Sequence, residues 1–273
     1  MTAAIAQIDA RRDELTAWRR DLHAHPELAY AEHRTSQFVA DELRRSGLDV
    51  DVGLAGTGVV ATLTTGRGPA FGLRADMDAL PMQEANAFAH RSRRDGTMHA
   101  CGHDGHTVML LAAAQHLAQF PAFEGTVRFI FQPAEEAAGG AQAMIEAGLF
   151  ERFPVERVFG MHNWPGLPGG HFAMRPGPIM ASIDAFDAVV TGRGTHGALP
   201  HHGIDAIHVF AQTVVALQSI VSRNVDPLQS AVVSVTKVHG GDAHNILPES
   251  VRFGGSLRAF EPAVRSAVKR RVA

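Results

Sequence analysis

Residues 98 to 110, MHACGHDGHTVML, hold the only cysteine of a 273-residue chain together with His99, His103, His106 and the acid Asp104. Cys101 and His103 stand two apart, so in an extended segment both side chains point to one face and can chelate a single centre. A thiolate beside imidazoles suits zinc or another late divalent cation, whereas calcium and magnesium prefer shells made wholly of oxygen. Glu135 and Glu136 add adjacent carboxylates. One can bind a cation while its unligated neighbour acts as general base on water and then as acid toward a leaving amine. His162 offers a further imidazole, and Asp78 is the kind of group that orients a ligating ring from just outside the metal. Taken singly each has an ordinary reading: a packed thiol, a solvated Glu-Glu loop, a buried ring satisfied by backbone. Cys101 with a histidine base would also make a nucleophilic pair, but that leaves the two glutamates and His162 without a role.

These groups weigh more together because of the elements that must position them. Short apolar runs at 71–75, 127–131 and 158–161 read as strands, and Asp78, Glu135–Glu136 and His162 each follow one. Helical patterns at 5–20, 34–47, 107–120 and 140–149 alternate with strands, which predicts an α/β fold with a mostly parallel sheet covered on both faces. In such a sheet the carboxyl ends of the strands share one edge, where ligands bind. His23-Ala-His25-Pro26 reads as a turn. The pattern changes after Met180: a strand at 185–192, a long amphipathic helix at 204–221, strands at 231–238 and 251–260 and a basic helix from 262 predict a small α+β sandwich. We divide the chain into 1–183 and 184–273.

Bulk composition excludes other classes. A net charge of −3 without a lysine- and arginine-rich run gives no field for nucleic acid. Charges at Asp9, Arg11, Arg12, Asp13 and Glu14 interrupt the N-terminal segment where a secretory leader needs an apolar core, and no stretch approaches a membrane span. One cysteine forms no internal disulfide, which fits the reducing cytoplasm.

The motifs LHAHPEL (22–28), GLRADMDALP (72–81), MHACGHDGHTVMLL (98–111), FQPAEE (131–136), GMHNWP (160–165), GRGTHGALPHHGIDAI (192–207) and HNILPES (244–250) resemble those of the metal-dependent aminoacylase and carboxypeptidase-type amidohydrolases. The branch of hippurate hydrolases, N-acyl-amino-acid amidohydrolases and indoleacetyl-amino-acid hydrolases is the most similar. The resemblance implies a metallopeptidase-like catalytic domain, interrupted by a lid domain that also mediates homodimerisation, and one or two divalent cations (zinc, manganese, cobalt or nickel). It implies that Cys101 bridges, that His103, Glu136 and His162 are further ligands, that Glu135 is the general base and that Asp78 supports a ligand. His196 would polarise the scissile carbonyl, while Asn245 and Arg258 would hold the substrate, the guanidinium being suited to a carboxylate. The implied reaction is hydrolysis of the amide bond of an N-acyl amino acid.

Family members also carry a last histidine ligand in catalytic-domain segments beyond the lid, and nothing after residue 260 resembles it. The expectation is therefore an incomplete catalytic sheet with an exposed apolar edge, weaker hold on metal and little or no turnover. Two other readings stay open: a non-catalytic metal-binding and dimerising module, and a cysteine-nucleophile amidase.

Overall fold

The computed structural model describes residues 3–136 and 139–273. The chain divides into two units, Met1–Gly166 and Leu167–Ala273.

The first unit begins with α1 (Ala3–Asp9), α2 (Arg12–Ala24) and α3 (His33–Arg45). In α3, Val39 and Leu43 lie one turn apart and are fully buried, and the helix stops at Ser46 before Gly47, whose φ of 78° suits glycine. There follow β1 (Asp49–Leu54), β2 (Gly58–Thr65), β3 (Ala70–Asp76), α4 (His103–Gln119), β4 (Gly125–Gln132), α5 (Gly140–Glu146), α6 (Leu149–Arg152) and β5 (Arg157–Gly160). The sheet order is β1-β2-β4-β3-β5. β3 pairs in parallel with both β4 and β5, while β2 runs antiparallel to β4 and β1 antiparallel to β2, so only β2 opposes the common direction.

Successive side chains on a strand face opposite ways, and both faces are used. Val59, Ala61, Phe129 and Phe131 pack against Val39 and Leu43 of α3 and Leu111 and Ala114 of α4. Val60 and Ile130 turn the other way, onto Met144 and Leu149. Burying a side chain such as Phe129 or Phe131 stabilises by about 1.5–3 kcal/mol. The outer strand β5 bonds to β3 along one side, and all four of its residues are exposed.

Four details differ from the sequence reading. The segment 5–20 is two helices, and His23 closes α2 instead of forming a turn. The strand β1 was not anticipated, because DVDVGL at a sheet edge buries only Leu54. The helix 140–149 is cut at Gly148, where φ is 90°. Finally α4 starts at His103, four residues early, because Gly102 takes a left-handed φ of 85° directly before it.

Among the described residues, the second unit has no helix or strand before β6 (Ser182–Thr191). β7 (Thr195–His196), α7 (Ala206–Asn224), β8 (Ala231–His239), β9 (Ile246–Leu247), β10 (Ser250–Ala259) and α8 (Pro262–Val272) complete it. Asp205 caps α7 by accepting from the amides of Ile207 and His208. β6, β10 and β8 form an antiparallel sheet in that order, and β7 pairs with β9. Leu217, Ile220 and Val268 of the two helices pack onto Val233, Phe253 and Leu257 of the sheet, giving an α+β layer pair.

Candidate metal centre

In the parallel part of the first unit, Asp76 lies opposite Gln132, and Arg74 opposite Gly160. Asp78, Glu135–Glu136 and His162 therefore leave three neighbouring strands at one edge. Cys101 and His103 reach the same place from the start of α4. Gly102 separates them in a turn, so the extended geometry that first suggested a shared face is not how they meet.

Asp78 organises the centre. Its buried carboxylate accepts the Glu135 amide on Oδ1 and the Glu136 amide on Oδ2, each at 3.0 Å, and faces His103 Nδ1 at 3.3 Å. Burial alone would raise the Asp78 pKa, but the His103 ring and the two amides outweigh it and hold the group ionised. Because a carboxylate only accepts, His103 Nδ1 carries a proton, and in the neutral ring Nε2 holds the lone pair. That Nε2 is 3.7 Å from Asp76 Oδ2, 3.8 Å from Glu136 Oε1 and 4.0 Å from Glu135 Oε2. Among the described residues neither His103 Nε2 nor Glu136 Oε1 has a hydrogen-bond partner, though both are buried.

The sulfur of Cys101 lies 3.3 Å from His162 Nε2. Ligand atoms of Cys101, His103 and His162 fall within 4.8 Å of one another, as do those of His103, Glu135 and Glu136 and those of Asp76, His103 and His106. Sulfur, nitrogen and oxygen atoms thus converge around two buried atoms, His103 Nε2 and Glu136 Oε1, that have no partner among the described residues, an arrangement that costs free energy unless a cation sits among them. The mixed sulfur, nitrogen and oxygen set fits a late divalent metal. Without a cation, burial first and then the Glu136 carboxylate push the Cys101 thiol up to about 12. That is opposite to what a cysteine nucleophile needs. Burial, reinforced by Glu136, also raises the pKa of Glu135.

Two participants escaped the sequence reading. Asp76 and His106 are buried and joined, Nδ1 to Oδ1, at 2.6 Å. Their signals were present: Asp76 is two residues before Asp78 on the same strand exit, and His106 is one helical turn after His103. His99 is buried with both ring nitrogens unpartnered among the described residues, and burial pushes its pKa down to about 4.

The second unit sets His196 and Asn245 side by side. His196 pairs with Ile246, and the Gly197 amide donates to the Asn245 carbonyl at 2.7 Å. Arg258 lies elsewhere in that unit, exposed on β10 between Ile183 and Val232.

An α/β sheet with this donor set at its carboxyl edge fits a divalent-metal centre. The chain belongs to peptidase family M20/M25/M40, whose model matches residues 72–268. It is 46% identical over 264 residues to an N-acyl-L-amino acid amidohydrolase of Geobacillus stearothermophilus, covering 96% of this chain and 71% of that protein. It is 44% identical over 269 residues to the hippurate hydrolase of Campylobacter jejuni, covering 98% and 70%. Among solved structures, the YxeP protein of Bacillus subtilis, described as a dinuclear metal-binding peptidase of the M20 family, superposes with a TM-score of 0.79 at 40% identity, covering 97% of this chain and 68% of that one. The chain spans 58% to 71% of the length of the curated relatives it matches. Among the described residues no helix is long and apolar enough to cross a membrane.

Proposed function

We propose that the protein is a metal-dependent amidohydrolase that cleaves N-acyl amino acids of the hippurate type into a carboxylate and an amino acid. The observation that carries this reading is the pair of buried atoms His103 Nε2 and Glu136 Oε1, which have no partner among the described residues and face each other across 3.8 Å at the sheet edge. The relatives' names, which specify N-acyl amino acids and hippurate, support the substrate class.

Cys101, His103, Glu136 and His162 would hold one or two divalent cations, with zinc, manganese, cobalt and nickel all compatible with the donor set. A cation there supplies Lewis acidity, polarising the amide carbonyl and making water a better acid. Asp78 keeps the His103 ring turned and braces the amides of both glutamates. Glu135 takes a proton from the attacking water and returns it to the departing nitrogen. His196 Nδ1 accepts the Ala198 amide at 3.1 Å, so its proton is on Nε2 and can be donated to the carbonyl oxygen as charge grows there. Asn245 and Arg258 are assigned to holding the substrate, Arg258 being suited to its free carboxylate. The reading includes a homodimer formed through the second unit, and a cytoplasmic setting in which the single free cysteine stays reduced.

Glycine release from hippurate by the 273-residue chain tests it. Turnover that requires added Zn²⁺ or Mn²⁺ is expected, however slow. Turnover that survives chelation overturns it, as does a chain that takes up no Zn²⁺ or Mn²⁺ at all.

A further inference from the structure

Resting on that reading, we propose that His106 is a positioning residue for the cation site: acting through the backbone of Asn163, it fixes the tautomer and direction of the His162 ring. Two atoms of Asn163 decide the protonation pattern. Its amide can only donate, and His106 Nε2 stands 3.0 Å away, so that nitrogen bears a lone pair and the ring proton is on Nδ1. Nδ1–H then donates to Asp76 Oδ1 at 2.6 Å. Asp76 Oδ2 is held in turn by Arg74 Nη1 at 2.7 Å, and Arg74 Nε and Nη2 donate to Gln132 Oε1 at 2.8 and 2.6 Å. The Asn163 carbonyl, on its other side, can only accept. His162 Nδ1 lies 2.7 Å from it and must donate, which leaves the lone pair of His162 on Nε2, the atom facing Cys101.

A rigid network at the end of β3 and β4 is thereby passed through one residue to an imidazole beyond β5. His106 also bounds that imidazole directly, the two rings lying 4.6 Å apart at 67°. The Asn163 side chain is seated against Gly102, where a Cβ would collide with its Oδ1. His162 itself is exposed, so the Asn163 carbonyl and these ring contacts are what restrain it. Hydrogen bonds of this kind behind a ligating histidine set both its basicity and its aim.

The test uses the whole chain stripped of metal and titrated with Co²⁺, reading the near-ultraviolet absorption of a Cys101 thiolate bound to cobalt. His106→Asn keeps an N–H toward Asp76 but removes the acceptor for the Asn163 amide, whereas His106→Gln restores an acceptor oxygen near the place of Nε2. Expected are about 10- to 100-fold weaker cobalt binding by the Asn variant and near-parent binding by the Gln variant. An Asn variant that binds like the parent overturns the proposal, as does a Gln variant no better than Asn. A parent chain with no cobalt–thiolate band overturns the metal-centre reading itself, and so separates the two failures. Should the Asn variant not fold, ¹⁵N NMR of histidine-labelled parent protein decides: Nδ1 protons on both His106 and His162 support the assignment, and an Nε2 proton on His106 ends it.

Discussion

Glu135 and Glu136 are adjacent in sequence but unequal in surroundings, and that inequality is what the proposed chemistry uses. Glu136 has a buried oxygen with no partner among the described residues, whereas Glu135 is the more exposed of the two. Glu135→Gln should lower turnover by roughly 10²- to 10⁴-fold while metal content, measured by elemental analysis after dialysis, stays at the parent level. Loss of metal along with activity would make Glu135 a ligand instead. Asp78→Asn replaces one acceptor oxygen by an NH₂ group that meets an amide or ring N–H head-on. Metal affinity should fall about 10- to 100-fold, as read by competition with a chelating dye. The donor types at Cys101, His103, Glu135, Glu136, His162 and Asp78 were legible because each follows a strand or opens a helix at one sheet edge. Asp76 and His106 were harder to see, since a carboxylate and a ring that satisfy each other leave no mark in composition.

At the level of elements, the strands at 71–75 and 127–131 were readable within two residues, because β-branched and aromatic runs buried on both faces leave little alternative. The start of α4 was not, because a left-handed glycine between two ligands looks like loop. Phe131→Ala, near the end of β4 and fully buried, should cost about 3–5 kcal/mol in urea unfolding. The last turn of α2 carries a pH-sensitive contact. His23 Nδ1 meets Asp104 Oδ2 at 3.0 Å and Nε2 meets Glu84 Oε1 at 3.2 Å, with Arg19 also on Asp104 and the rings of His90 and His99 near. The Asp104 hydrogen bond, helped by Glu84, raises the His23 pKa against the opposing effect of burial. A raised folded pKa means the stabilisation is complete below the unfolded value of about 6.5 and fades as pH climbs through the folded value. The stability gap between parent and His23→Gln should therefore narrow as pH rises above about 6.5; urea titrations showing it widen would contradict the assignment.

Taken whole, the molecule holds its cores in separate clusters, and among the described residues the His, Cys and carboxylate groups that could hold a cation lie in the first unit. A ligand that binds the folded chain and not the unfolded one stabilises by mass action, by about 2.7 kcal/mol at a hundredfold excess over Kd. Calorimetry should show a rise in melting temperature with Zn²⁺ or Mn²⁺ that Cys101→Ser largely removes. The second unit's α+β character was evident from its element order, but the placing of His196 beside Asn245 depends on a ladder of only two residues a side, too short to leave a periodic signal. The common direction of β3, β4 and β5 also makes the two ends of the sheet unequal for protein engineering. Loops entering these strands, such as 120–124 and 153–156, open on the rim away from the ligands, with four residues of β5 (about 13 Å) between the second of them and its exit. Fluorophores, epitope tags and inserted peptides belong there, while the exits at 77–81, 133–136 and 161–166 leave no room for such grafts.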